Sequence, residues 1–236
     1  MRTLFTRPKP FLDAARRDWQ FATFAWLLRN SGGYSKFLDT TLVLPTSEHF
    51  PVSGAKGRAG IAALFRRVRD HAGMAEWPCS VEPETAPEEH RRSTAIPVIR
   101  YPADDLEPGA LIATFARELA RQFVETFEEP APGGGSLFEP GIDVAAIFMG
   151  FGVFLANATC AGTRFALNEG EAAHALAMFC LLRNLETAPI GTYLNPHLRK
   201  HLRLAARDLG QHARAFKALR ATVAVHPEVA ECARPV

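Results

Sequence analysis

TFARELARQF, residues 114–123, is the stretch on which the reading of this chain turns. At its centre Arg117, Glu118, Leu119, Ala120 and Arg121 spell R-E-L-A-R. A glutamate that follows the first of two like residues at i and i+4 has the spacing of the H-E-x-x-H zinc helix. In that motif two histidines one turn apart share a helix face and grip a metal ion, and the glutamate is general base to the metal-bound water. Zinc needs a lone pair. Neutral imidazole, thiolate and carboxylate offer one, whereas a guanidinium stays protonated and only donates. With arginine at both flanking positions that chemistry has no route.

Taken alone, the helix around this motif reads as an ordinary amphipathic one. Ile112, Phe115, Leu119 and Phe123 form its apolar stripe. Arg117 lies about 200° around the helix from Phe115, on the face expected to be solvated. Arg121 is spaced to pair with Glu125 at i+4 and Glu118 at i−3, each pair worth a few tenths of a kcal/mol.

Composition sets broad limits. The 236 residues are 47% hydrophobic and 22% charged, with a formal net charge of +2. Such a chain can bury a sizeable core, and nothing global in it demands nucleic acid or an anionic membrane. The start, MRTLFTRPKPFLDAARRDW, has no apolar run before Pro8 and Pro10, so no secretory signal is expected. Cys79, Cys160, Cys180 and Cys232 are far apart with no C-x-x-C, and Cys160 and Cys180 lie in apolar segments as small hydrophobes. A reducing, cytoplasmic setting is expected. VAAIFMGFGVFL, residues 144–155, is wholly apolar but about half of the roughly 20 residues a span needs, so it reads as a buried core helix.

Periodicity predicts helices at 11–29, ending at Asn30-Ser31-Gly32-Gly33, and at 57–73 with Ile61, Leu64 and Val68 inward. Short strands are predicted at TTLVLPT (40–46), WPCSVEP (77–83) and STAIPVIRY (93–101), Pro97 implying an edge position or an early break in the last. Residues 82–93 read as an exposed connector and EEPAPGGGS (128–136) as a flexible loop. The motif helix spans roughly 108–126, and further helices follow at about 140–159, 169–185, 195–208 and 211–221. This order predicts an α+β fold, mostly helical, with a small β-sheet and a helical C-terminal half. Residues 1–10 and 224–236 read as tails around a single domain, 11–223, with its sheet-containing part at about 11–127 and its helical part at about 139–223.

From about Asp18 onward the chain resembles bacterial zincin-like proteins, relatives of the H-E-x-x-H metallopeptidases. The resemblance rests on Trp26 in WLLRNSGGY, LVLPT at 42–46, WPC at 77–79, ARELAR at 116–121 and IDVAAIFMGFGVFLANA at 142–158. GFGVFLAN is its most specific part. It implies a zincin-like domain, a zinc cofactor and a peptide or protein ligand. Glu118 matches the family's glutamate, while Arg117 and Arg121 stand where it has zinc histidines. No metal ligand is therefore assigned, and no cofactor is expected.

In zincins with a carboxylate third ligand, that ligand comes from a later helix. Asp143 is the candidate here and Glu139 the alternative. A carboxylate in a first helical turn also complements the helix dipole by roughly 0.3–1 kcal/mol, a role compatible with the other. If both helices keep the zincin arrangement, an arginine stands beside Asp143 and Glu118 and balances their charge as zinc would. The face carrying Asp143, Ala146, Gly150 and Val153 is expected to pack on the motif helix, since two mid-helix glycines, Gly150 and Gly152, signal close backbone approach.

His197 and His201 form a second i, i+4 pair on a basic helix and read as solvated. Arg199, Arg203 and Arg207 stack into a ridge able to contact anions, without aromatic interleaving or a nucleic-acid motif. His90 and His174 receive no role. The expected function is that of a catalytically inactive metallopeptidase-like protein acting by binding. One alternative is a metal-dependent hydrolase using Glu118 and Asp143 with non-standard ligands. The other is a helical interaction module whose basic ridge binds anionic partners.

Overall fold

The computed structural model describes residues 10–51, 57–84, 97–101, 107–160 and 165–225. His90, Cys232, most of the predicted connector and the first residues of the 93–101 strand lie outside them, as do nearly all of the predicted tails.

Helix α1 (Ala14–Asn30) starts where Asp13 caps the backbone N–H of Arg16 at 2.8 Å, and it stops at Ser31. Gly32 and Gly33 then take positive φ of 96° and 82°, and a short α2 (Gly33–Phe37) follows. Trp26, Leu27 and Leu28 on α1 are buried. Helix α3 (Gly57–His71) buries Phe65 and Val68, with Ile61 and Leu64 partly covered.

Two strands, β1 (Ser80–Pro83) and β2 (Val98–Tyr101), pair in parallel with Val81 opposite Ile99 and Glu82 opposite Arg100. Pro97, just before β2, contributes only its carbonyl, which accepts from Ser80 N at 3.0 Å. The motif helix is α4 (Pro108–Glu125), opened by proline at its first position. Its inner face packs Phe115 edge-on against Phe65 of α3 and Tyr101 of β2. The fold is α+β and mainly helical.

The predicted 40–46 strand does not form; this segment is irregular and joins no sheet. Its place is explained by the apolar segment downstream. The expected single helix at 140–159 is broken into α5 (Phe138–Ala146), a wide turn over residues 147–151, and α6 (Gly152–Thr159). Gly150 sits at φ 99°, and a Cβ there would lie 2.1 Å from the Thr41 carbonyl oxygen. The same turn lets Val43 N donate to Gly150 O at 2.9 Å. The segment does pack on α4, through both α5 and α6, but the close approaches at the glycines are to other partners: Gly150 admits the LVLPT backbone, and Gly152 admits Leu176 and Ile147.

Among the described residues one helical stretch, Gly135–Thr159, is long and apolar enough to cross a membrane, and 94% of its most apolar window is buried inside the protein. It is the central core segment. Around it lie α7 (Glu169–Leu182), α8 (Thr187–Gly191), α9 (Pro196–Leu209) and α10 (Ala213–Arg220).

Two further expectations change. The glycine-rich 128–136 loop is pinned rather than loose. The indole N–H of Trp26 donates to Glu129 O at 2.8 Å, that of Trp19 to Pro132 O at 3.1 Å, and Arg29 pairs with the Glu129 carboxylate. The predicted C-terminal tail begins later than residue 224. Val225 N donates to Arg29 O at 3.0 Å, and residues 222–224 lie against Gly33.

Candidate functional site: a guanidinium among three carboxylates

Helix α5 lies along α4, and the loop between them is fixed by the two α1 tryptophans. This places the carboxylates of α5 over the outer face of α4. Arg117 is consequently not solvated: it is 8% exposed and Asp143 is 1% exposed. Arg117 Nε donates to Asp143 Oδ1 at 2.6 Å, Nη2 to Glu139 Oε2 at 2.5 Å, and Nη1 to Glu118 Oε1 at 3.4 Å. One guanidinium thus bridges all three acids named from the sequence.

Arg121 completes the cluster. It forks onto Glu139 at 2.9 and 2.7 Å and approaches Glu118 at 3.6 Å. Its direct partners are therefore Glu139 and Glu118, with Glu125 contributing only at longer range. Planar two-point pairing of this kind is what arginine offers carboxylates and lysine does not.

Asp143 stands in the second turn of α5, so the helix-dipole role falls to Glu139, the acid in the first turn. Asp143 does other structural work. Its Oδ2 accepts the backbone N–H of Ala166 at 2.6 Å and of Leu167 at 2.9 Å. Those residues lead directly into α7, whose start is closed by a reciprocal capping box between Asn168 and Glu171. One carboxylate oxygen thus orders the entry to α7 while the other faces Arg117.

The electrostatics follow from this geometry. Burial pushes the Asp143 carboxyl up from its ordinary value, against the pull of Arg117 and the two backbone donors. Burial also works against the Arg117 charge, but Asp143 and Glu139 more than offset it and hold the guanidinium above its usual range. Glu139 is drawn down to about 2, first by the hydrogen bonds from Arg121 and then by those from Arg117.

A cleft of about 290 Å³ opens beside the cluster, lined by Arg100, Thr114, Arg117, Glu118, Glu139 and Phe165. Arg100 and Phe165 were not singled out from the sequence. Arg100 arrives from β2, and Phe165 immediately precedes the backbone held by Asp143.

The zinc that the resemblance implies does not fit these residues. At the two i, i+4 positions the donor set is a pair of guanidinium groups without lone pairs, and Arg117 already supplies the cation that Asp143 faces. Glu118 is contacted by both arginines, so the group matching the general base accepts from cations rather than facing a metal-bound water.

A second constellation forms where none was expected. His197 of α9 is exposed as predicted, yet its Nε2 lies 3.2 Å from Glu169 Oε2 and 3.3 Å from Cys160 Sγ. Cys160 is partly exposed rather than a core hydrophobe, and burial followed by the neighbouring Glu169 raises its thiol above the usual value, against a hydrogen bond from Asn195. Cys180 does behave as a core residue, with burial pushing its thiol up to about 12. The expected basic ridge of Arg199, Arg203 and Arg207 is exposed along its length, although Arg199 Nε also donates to Gly191 O at 2.8 Å. No family model matches this chain, and no curated protein or solved structure matches it.

Proposed function

We propose that this chain is a catalytically inactive relative of zinc metallopeptidases that acts by binding a peptide or protein. The observation that carries the reading is the buried contact of 2.6 Å between Arg117 Nε and Asp143 Oδ1. A cation sits against the candidate third ligand, on the helix position where the resemblance places a histidine. Together with Arg121 it offsets most of the carboxylate charge, but it cannot polarise a carbonyl or lower the pKa of a water as a Lewis acid.

The cleft beside the cluster supports binding as the remaining use of the site. Its wall combines Arg100 with Glu118 and Glu139 and the apolar ring of Phe165. A short stretch of polypeptide carries the matching elements: backbone donors and acceptors, side-chain charges of either sign and apolar groups.

The test is hydrolysis of a quenched-fluorescent peptide library by the full chain, with and without added zinc, beside the Glu118→Gln variant. The expected result is no turnover above that variant in either condition. Zinc-dependent cleavage that disappears in Glu118→Gln and Asp143→Asn would instead establish the hydrolase reading.

A further inference from the structure

Cys160 closes the end of α6, Glu169 is the first residue of α7, and His197 lies in the first turn of α9. The three side chains reach one point from three helices, and their ligating atoms all lie within 4.8 Å of one another. None of these positions belongs to the arginine–carboxylate cluster.

We propose that Cys160, Glu169 and His197 form a binding site for a divalent transition-metal ion of the zinc type. The donor set is one sulfur, one imidazole nitrogen and one carboxylate oxygen, a mixture that suits zinc and its neighbours rather than magnesium or calcium, which take oxygen ligands. Zinc–ligand bonds of about 2.3 Å to sulfur, 2.0–2.1 Å to nitrogen and 2.0–2.2 Å to oxygen, at a tetrahedral angle, separate neighbouring donors by roughly 3.4–3.6 Å. The observed separations, 3.3 Å for Sγ to Nε2 and 3.2 Å for Nε2 to Oε2, need an expansion of only a few tenths of an ångström.

The surroundings suit a cation as well. An ion at the centre would engage the sulfur, the nitrogen and the carboxylate oxygen at once, as a tetrahedral site does. Glu169 and His197 are 38% and 50% exposed at the side chain, so the site opens to solvent on one side. Three protein ligands with an open fourth position hold an exchangeable ion and a water, unlike a closed structural site. Binding releases the Cys160 proton, so occupancy rises with pH through the thiol's titration.

The experiment uses the full chain, untagged and dialysed against a chelator. Zinc is titrated against a chromophoric competitor, and cobalt(II) is added separately as a spectroscopic probe. The expected result is about one equivalent of zinc, as a single three-ligand site requires. The cobalt form should show a thiolate-to-metal charge-transfer band in the near ultraviolet. Cys160→Ser removes that band and weakens zinc at least about tenfold, the scale of a lost ligand or its support. His197→Ala weakens zinc similarly, and Cys79→Ser leaves both signals unchanged. Thermal melts check that these variants, at exposed or partly exposed positions, remain folded. No cobalt–thiolate band in the parent chain, or zinc binding unchanged in both Cys160→Ser and His197→Ala, overturns the proposal. Zinc lost on Asp143→Asn but kept in Cys160→Ser would overturn the inactive-site reading as well, so the two failures are distinguishable.

Discussion

Arg117 and Asp143 meet at 2.6 Å in a place where each is almost wholly removed from water, and Asp143 is simultaneously anchored through its second oxygen to the backbone of residues 166 and 167. The pair joins α4 to α5 and, through the anchored oxygen, to the start of α7. Several consequences can be measured.

Removing the cation leaves a buried carboxylate without its counter-ion. Arg117→Met should destabilise the fold by about 3–5 kcal/mol near neutral pH, the cost of breaking a buried pair from one side. In this variant the Asp143 carboxyl is raised further, because burial is no longer opposed by the guanidinium. A raised acid destabilises while ionised and ceases to do so once protonated. The loss should therefore shrink as pH falls, read as the difference in denaturant midpoint between variant and parent at about pH 7 and about pH 5. A loss that is constant across this range contradicts the assignment.

Glu139 has the opposite sign. Its folded value is depressed from 4.5 to about 2, so its contribution is present above about 4.5 and disappears as pH falls toward about 2. Glu139→Gln should flatten the stability profile in that window and leave its neutral-to-alkaline part parallel to the parent's. Half of the Glu139 side chain is exposed, so the effect should also weaken in high salt.

His174 supplies a second acid-sensitive element, separate from the cluster. It is fully buried, its Nδ1 lies 2.7 Å from Gln20 Oε1, and burial lowers it from 6.5 to about 4. A histidine held neutral in the fold binds its proton more readily once unfolded. Stability is therefore complete above about 6.5 and falls by roughly 3 kcal/mol on acidification to about 4. His174→Gln should remove most of that slope in a series of urea melts, whatever its effect on absolute stability.

The two glycines of GFG should respond unequally. Gly150→Ala places a Cβ against the Thr41 carbonyl at a backbone angle that side chains disfavour, and about 3–5 kcal/mol of destabilisation is expected. Gly152→Ala meets the end of the Leu176 side chain, which can shift, and gains helix propensity of about 1 kcal/mol. Its net loss should be about 1–2 kcal/mol, so equal melting temperatures for the two variants would contradict the account.

Legibility in the sequence followed the range of the interactions. Local signals placed α1, α4, α7, α9 and both strands within a few residues, because caps, prolines and 3.6-residue periodicity act over one or two turns. The grouping of Arg117, Glu118 and Asp143 was expected on the assumption that α4 and α5 keep a zincin arrangement. What failed was decided by distant neighbours. Arg117 looked solvated because its cover comes from α5. The 40–46 segment reads as a strand because it is rich in β-forming residues, yet its backbone partner is the Gly150 turn. Trp19 is not singled out in the sequence and Trp26 enters only through the resemblance, since nothing local announces that their indole N–H groups fix a loop more than a hundred residues away. Cys160, Glu169 and His197 share no spacing, so only the packing of α6, α7 and α9 brings them together.

The central claim is that Arg117 and Arg121 stand where metal-binding histidines would complete a site with Asp143. The most direct measurement is zinc affinity of the Arg117→His/Arg121→His double variant, made in a Cys160→Ser background so that the second constellation does not contribute. The Cys160→Ser parent should bind zinc at most weakly, and any residual binding should be indifferent to Asp143→Asn. The restored variant should bind about one equivalent, as two imidazoles and one carboxylate allow, and should lose it on Asp143→Asn. Zinc bound by the Cys160→Ser parent and lost on Asp143→Asn, or a folded double-histidine variant that binds none, would contradict the account.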